Sequence, residues 1–261
     1  MEVVILDDAE RVGPVGADAV AQHVRRNPEA VLGLATGSSP LRVYQELAAR
    51  VRRGELSLAR CRAFLLDEYV GLPADHPESY HAVIRRELVD RLDLDDSRVL
   101  GPAGLAEDLA AACADYELAI AEAGGIDVQL LGIGTDGHIA FNEPGSSLAS
   151  RTRIKTLTAQ TRRDNARFFG GDPEAVPHHC LTQGVGTILQ AGHLVMVALG
   201  QAKAEAVHHM VEGAVSAMWP ASALQMHPHV TVILDPAAAS RLQLADYYRE
   251  AWAAKPDWQE F

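Results

Sequence analysis

Six short apolar runs punctuate the chain: Val3 to Leu6, Val31 to Ala35, Ala63 to Leu66, Ile126 to Leu131, Leu194 to Leu199 and Val230 to Leu234. Each is shorter than a typical helix and lacks polar alternation, so each predicts a strand buried on both faces. Between them lie segments such as Leu41 to Arg53, Ala106 to Ala123 and Ala202 to Val211, whose apolar residues recur at three and four while the opposite face is charged. That is the period of an amphipathic helix. Strands alternating with helices predict an α/β fold, an open, mostly parallel sheet with helices on both faces. No repeat, low-complexity tract or Pro/Gly-rich linker interrupts the pattern, so a single domain spanning 1–261 is expected. The periodicity fails from about Gly132 to Gly186. Long irregular stretches inside compact domains are usually functional, which makes this the first place to look for a site.

In open α/β sheets ligands bind beyond the carboxyl ends of the strands, so the residues following each run carry the information. Val31 to Ala35 leads into Thr36-Gly-Ser-Ser-Pro40, and Ala63 to Leu66 leads into Asp67-Glu-Tyr69. Ile126 to Leu131 leads into Gly132-Ile-Gly-Thr-Asp-Gly-His-Ile-Ala-Phe-Asn-Glu143, and Leu194 to Leu199 into Gly200-Gln-Ala-Lys203. Parallel strands would gather all four sets at one edge.

Composition narrows the partners. With 48% hydrophobic and 22% charged residues the chain has apolar surface to bury and no disorder signature. A formal net charge of -12 argues against nucleic acid or an anionic membrane as the main partner, since both reward clustered positive charge. Any anion must be held locally. Cys61, Cys113 and Cys180 are widely spaced with no Cys-x-x-Cys pair, which fits buried thiols in a reducing compartment rather than a disulfide framework or a zinc site. The N-terminal segment is acidic where a signal peptide is basic, and no apolar run approaches the ~18 residues of a membrane span. A cytoplasmic protein is expected.

Against that background the strand-end segments acquire chemistry. Thr36, Gly37, Ser38 and Ser39 stand between a buried strand and a helix with Pro40 as its expected first residue, an arrangement suited to holding a phosphate on backbone N–H groups or, more simply, to capping the helix. Gly132 to Gly137 satisfies G-x-G-x-x-G, but Asn142, Glu143, Pro144 and Gly145 break the helix that a dinucleotide site needs. The glycines instead shape a loop carrying Asp136, His138 and Glu143, two carboxylates flanking an imidazole, which suits proton transfer. No supporting ligand at metal spacing accompanies them. Asp67 follows the apolar Phe64-Leu-Leu66, which predicts a buried carboxylate of raised proton affinity or, alternatively, a turn cap. Arg151 to Arg167 holds six basic residues (Arg151, Arg153, Lys155, Arg162, Arg163 and Arg167) against Asp164 alone, and Lys203 begins a helix. Both features suit a small anion. The pairs His178-His179 and His208-His209 are expected to be structural, without carboxylates at ligand spacing.

Longer strings carry a resemblance. Leu66-Asp-Glu-Tyr-Val-Gly-Leu-Pro73 with His76-Pro-Glu-Ser-Tyr80, Gly134-Thr-Asp-Gly-His-Ile-Ala-Phe-Asn-Glu-Pro144, Ser146 to Thr158, and Leu181-Thr-Gln-Gly-Val-Gly-Thr187 resemble the glucosamine-6-phosphate deaminase family, in the family's order and across nearly the whole chain. The resemblance implies a Rossmann-like α/β fold and conversion of glucosamine 6-phosphate and water to fructose 6-phosphate and ammonia, with no cofactor and no metal. By position, His138 would open the sugar ring with Asp136 and Glu143 supporting it, and Asp67 would move a proton from C2 to C1. Thr36 to Ser39, Arg167 and Lys203 would hold the phosphate. Hexameric members are activated by N-acetylglucosamine 6-phosphate between subunits, and Ser146, Arg153 and Lys155 match that site, which implies a homo-oligomer. A tyrosine of the regulated members falls on Arg249, with Tyr247 and Tyr248 beside it.

Two other readings compete. A 6-phosphogluconolactonase would need no carbanion at C2 and so no role for Asp67. A non-catalytic sugar-phosphate sensor should lack the proton-moving groups, yet Asp67, Asp136, His138 and Glu143 are all present.

Overall fold

In the computed structural model, which describes every residue except Ala74 and Asp257, all six apolar runs become strands. In chain order the strands are β1 (Glu2–Ile5), β2 (Val31–Leu34), β3 (Arg62–Leu65), β4 (Asp67–Tyr69), β5 (Val99–Leu100), β6 (Val128–Leu131), β7 (Arg153–Thr156), β8 (His179–Thr182), β9 (His193–Ala198) and β10 (Val230–Leu234). The helices are α1 (Val12–Arg26), α2 (Ser38–Arg52), α3 (Tyr80–Glu87), α4 (Leu109–Glu122), α5 (Ala159–Asn165), α6 (Val185–Ile188), α7 (Ala204–Val211) and α8 (Ala245–Ala253).

Seven strands form the central sheet in the order β1-β10-β9-β6-β2-β3-β5, with every neighbouring pair parallel. Its two faces bury separate cores. β1 sends Val3 and Ile5 to the side of α4 and α7, where Tyr116, Ile120, Val207 and Met210 pack, and Val4 and Leu6 to the side of α1 and α2, where Val20, Val24, Val43 and Leu47 pack. Burial on both faces is why the runs lack polar alternation. Inside β2, Gly33 leaves room for Gln129 of β6: a Cβ there would lie 2.0 Å from the Gln129 amide oxygen. Among the described residues no helix is long and apolar enough to cross a membrane. All three cysteines are buried and unpaired.

The stretch from Gly132 to Gly186 is less irregular than its sequence suggests. It contributes β7, α5, β8 and part of α6, and β4, β8 and β7 make a second, antiparallel sheet. β7 escapes sequence reading because its pattern is inverted: Arg153 and Lys155 are half-buried while Ile154 is 46% exposed. Helix starts also shift. α2 begins at Ser38 with Gly37 as its cap, which puts Pro40 at the third helical position rather than the first. Lys203 closes a short 3-10 turn (Gln201–Lys203) ahead of α7.

Candidate active site

Strand order reverses between β2 and β6: later strands are added outward from β2 through β3 to β5, and outward from β6 through β9 to β10. The crevice at such a switch point is where α/β sheets bind ligands. Thr36 to Ser39 follow β2 and Gly132 to Glu143 follow β6, so both segments open there. The two touch, since a Cβ on Gly132 would sit 3.7 Å from Cδ of Pro40. Gly37, at φ 109° and ψ 169°, turns the chain so that α2 starts immediately, in a backbone region open essentially to glycine alone. No side chain caps α2, and Gly37 and Ser38 are exposed. Its first N–H groups and dipole therefore face the crevice without an internal partner.

The loop after β6 is folded around its histidine. Gly134 N–H donates to the His138 carbonyl at 2.9 Å and Gly137 N–H to the Gly134 carbonyl at 3.1 Å. The imidazole lies directly on Gly134, where a Cβ would come within 2.3 Å of Cε1 and Nδ1. Asp136 Oδ1 accepts from His138 N–H at 3.2 Å and stands 2.7 Å from Nδ1. That second contact is close but bent away from the line of a ring N–H, so Nδ1 lacks a well-directed hydrogen bond. Burial pushes the Asp136 carboxyl up, yet the bonds and charge of His138 outweigh it and hold the group below the usual carboxylate range. Downstream, Ala140 takes φ 50°, a left-handed conformation that costs a non-glycine residue roughly 1 to 3 kcal/mol and clusters at functional sites. It lies in a tight turn secured by the Asn142 amide, which donates to the carbonyls of Ile139 and Gln183.

Glu143 is buried. Its Oε1 accepts from Thr158 N–H and Oγ1 at 3.2 Å each, and from the Thr161 hydroxyl, holding the start of α5. Asp136 contacts the His138 ring, while Oε1 of Glu143 ties the loop to the start of α5.

Asp67 reaches the crevice from β3. After Leu65 the chain leaves the central sheet and enters β4, with Leu66 still bonded to both Leu34 and Gln183. Asp67 is 6% exposed and stands opposite Thr182 in the β4–β8 ladder. Thr182 Oγ1 in turn accepts the N–H of Phe141, three residues beyond His138. One residue of β8 thus ties the Asp67 strand to the His138 loop. Burial raises the Asp67 carboxyl well above the usual range, and the adjacent Glu68 charge adds to it. Tyr69, Tyr80 and Phe141 close this side, with the Tyr80 and Phe141 rings stacked at 5.9 Å and 11°. The Tyr80 hydroxyl also interacts with Thr36, which links Asp67 to the start of α2. Sequence reading passed over Tyr80 and Thr182 as functional groups, although both lie within the strings quoted above.

On the far side stand the cations. Lys203 is close enough to Arg167 and Asp136 to feel both charges; burial first, then Arg167, lower its proton affinity. Arg167 lies 4.7 Å over the Phe168 ring. Among the described residues neither cation has a carboxylate within 4 Å, and the charges of Asp136 and Asp164 act on Lys203 from farther off. The other basic residues of this region divide. Arg151 is paired with Glu117, and Arg162 is buried against the carbonyls of Pro173 and Val176 and beside Glu174, so neither is free for an anion. Arg163 binds Gln160. Ser146, Arg153 and Lys155 lie apart from this crevice: the Ser146 hydroxyl is buried without a partner, while Arg153 and Lys155 occupy β7 opposite Thr182 and Cys180.

The histidine pairs need one correction. His208 contacts Glu212 at 3.1 Å and His209 contacts Glu205 at 3.2 Å, both at i,i+4, so carboxylates do accompany them. The contacts tie successive turns of α7. Among the described residues no group of three or more His, Cys, Asp or Glu side chains is arranged to hold a metal ion.

Comparison with known proteins shows the family. Residues 9–233 match a family model described as glucosamine-6-phosphate isomerases/6-phosphogluconolactonase. A glucosamine-6-phosphate deaminase of Beutenbergia cavernae is 70% identical over 259 residues, and one of Mycolicibacterium smegmatis is 67% identical over the same length; each alignment covers 99% of both chains. The solved structure of a monomeric glucosamine-6-phosphate deaminase superposes with a TM-score of 0.90 at 42% identity, covering 92% of this chain and 100% of that one. A 6-phosphogluconolactonase from Trypanosoma cruzi superposes with a TM-score of 0.73 at 22% identity, covering 93% of this chain and 97% of that one, a likeness of fold alone.

Proposed function

The chain belongs to the glucosamine-6-phosphate isomerase/6-phosphogluconolactonase family, and from that premise we propose that it is the isomerising deaminase, converting glucosamine 6-phosphate and water to fructose 6-phosphate and ammonia. The observation that carries this reading over the lactonase is Asp67, a buried carboxyl of raised proton affinity. A lactonase needs no base for a C–H proton. An aldose–ketose isomerisation does, and a base ionising nearer neutral pH is suited to it.

The phosphate is bound by the N–H groups of Thr36, Gly37, Ser38 and Ser39 leading into and starting α2, with Arg167 and Lys203 supplying positive charge. His138, oriented by Asp136, transfers the proton between the anomeric hydroxyl and the ring oxygen, giving the open-chain aldehyde. Asp67 takes the proton from C2 while water gives one to the C1 oxygen, leaving an enolamine with its double bond between C1 and C2. The same group returns the proton to C1, so that C2 becomes an iminium. Water adds to C2 and ammonia departs, leaving the ketone of fructose 6-phosphate. Every proton in this sequence moves through the chain's own groups, water or substrate. Glu143 supports His138 with Asp136 and fixes the end of the loop against α5. Such a reaction belongs to amino-sugar breakdown in the cytoplasm.

The direct test is to incubate the purified protein with glucosamine 6-phosphate and assay ammonia and fructose 6-phosphate. Both should form in equal amounts. A folded sample that releases no ammonia but hydrolyses 6-phosphogluconolactone would transfer the chain to the family's other activity.

A further inference from the structure

Glu68 is 4% exposed and takes no part in the steps above. Its Oε1 accepts from the N–H groups of Tyr69 at 2.8 Å and Tyr80 at 3.0 Å, and its Oε2 from that of His81 at 3.0 Å. Tyr80 and His81 are the first two residues of α3, and Ser79 Oγ takes the N–H of the third, Ala82. A buried carboxylate thus closes a helix start, where the dipole and free N–H groups favour negative charge.

All three donors are neutral, so the charge on Glu68 is solvated but not cancelled. The titratable groups facing Asp67 are Glu68 and Tyr69 of its own strand, Tyr80 of α3, Tyr116 of α4 and Cys180 of β8. Burial keeps the three phenols and the thiol in their neutral forms. Glu68 is therefore the one of these groups whose charge raises the Asp67 carboxyl.

We propose that Glu68 is a positioning residue for the deamination, supplying a fixed negative charge that strengthens Asp67 as a base and anchoring the start of α3 so that Tyr80 stands between Asp67 and Thr36. The assignment rests on the reading of Asp67 as the base for the C2 proton. Its sign is definite. A neighbouring negative charge opposes ionisation of Asp67, so removing it leaves a weaker base that ionises at lower pH. The weaker base has less driving force for abstraction.

Glu68→Gln separates charge from anchoring, because the amide oxygen can still accept from Tyr69 and Tyr80 while the charge and the His81 bond are lost. The profile of kcat/KM for glucosamine 6-phosphate across about pH 5 to 9 is the readout. The acid limb is expected to move to lower pH by about one unit or more, with kcat at the optimum down roughly three- to ten-fold and KM nearly unchanged. An unmoved limb in a variant that has merely lost thermal stability would reduce Glu68 to a helix anchor and overturn the proposal. Should the glutamine variant not fold, Glu68→Asp replaces it. Its charge persists, so its acid limb should stay at the wild-type position while Tm falls, and a limb displaced by a unit would overturn the role of the charge. Wild-type protein that produces no ammonia would instead remove the deaminase reading, and this assignment with it.

Discussion

Burial raises the proton affinity of Asp67, with the Glu68 charge adding to it, so the ionised form needed for proton abstraction is the form that the fold disfavours. The folded state holds this proton to higher pH than the unfolded chain does, and stability falls as pH rises from the ordinary aspartate range through the folded value. Asp67→Asn is therefore expected to cut kcat by at least about 100-fold with KM within a few-fold, and also to melt at a higher temperature than wild type at pH 7. That advantage should shrink as pH falls toward the ordinary aspartate range, as calorimetry at several pH values will show. Near-normal kcat would remove Asp67 from the mechanism. Arg167 poses the converse case, because it faces Lys203 without a carboxylate partner. Arg167→Ala should leave the unliganded protein at least as stable, yet raise KM about ten-fold or more through loss of a charged hydrogen bond to phosphate; an unchanged KM would contradict the phosphate role. The placement of Asp67, Asp136 and His138 was legible in the chain because each follows a buried strand or sits in a glycine-shaped loop. Their partners were not. Glu143 stands seven positions from Asp136, and nothing in the order of the chain announces that its Oε1 accepts from Thr158 and Thr161.

Elements position these groups, and two of them can be tested as such. α2 begins at a glycine with φ 109° around which a Cβ would meet nothing within 4 Å, so any penalty of Gly37→Ala is conformational rather than steric. The variant should lose about 1 to 2 kcal/mol of stability as the helix start shifts. Substrate affinity should weaken with little change in kcat, and equal loss in both would place Gly37 in the chemistry instead. At the opposite end of the sheet, β9 and β10 begin beside a buried histidine cluster. His193 Nδ1 lies 3.0 Å from His23 Nε2, its Nε2 2.9 Å from Thr231 Oγ1, and its ring stacks on His229 at 3.6 Å. Burial first, then the charges of His229 and His23, lower the His193 imidazole to about 3. Since the unfolded chain then binds the proton more readily, stability is full above the ordinary histidine value and is lost as pH falls through the window down to about 3. His193→Gln should flatten the stability–pH curve between about pH 6.5 and 4 in denaturant titrations; a slope equal to wild type would show that other groups govern acid unfolding. The apolar run of β9 announced this strand. Its polar first residue, His193, announced nothing, because a histidine buried among histidines cannot be told from a surface one by period.

Across the whole molecule, the two sheets connect the crevice to the strand bearing Arg153 and Lys155. Asp67 and Arg153 both stand opposite Thr182, and Tyr69 and Lys155 both opposite Cys180. A displacement of β7 by an anion would thus reach Asp67 through a single intervening strand. This supports, as a proposal, an activator site for N-acetylglucosamine 6-phosphate at Ser146, Arg153 and Lys155 in a homo-oligomer, although the solved relative at 42% identity is described as monomeric. The expected result is a sigmoidal rate curve that added N-acetylglucosamine 6-phosphate makes hyperbolic, together with a sedimentation coefficient larger than that of a 28.1 kDa monomer. A monomer with a hyperbolic curve indifferent to the effector would discard both parts.

The chain alone determined the central sheet but for β5, a two-residue edge strand with no apolar run to mark it, because strands buried on both faces must be short continuous apolar runs, and it determined which groups follow those strands, because that is a matter of order. It also carried the strings that mark the family. Tertiary structure decided how each charge is used. Of the six basic residues between Arg151 and Arg167, Glu117 claims Arg151 and backbone carbonyls claim Arg162, while Arg167 is left facing Lys203. The proton affinity of Asp67, too, is set by burial against β8, α3 and α4 and by the Glu68 charge. Electrostatics depends on distance through space and on excluded water, and neither is a function of position along the chain.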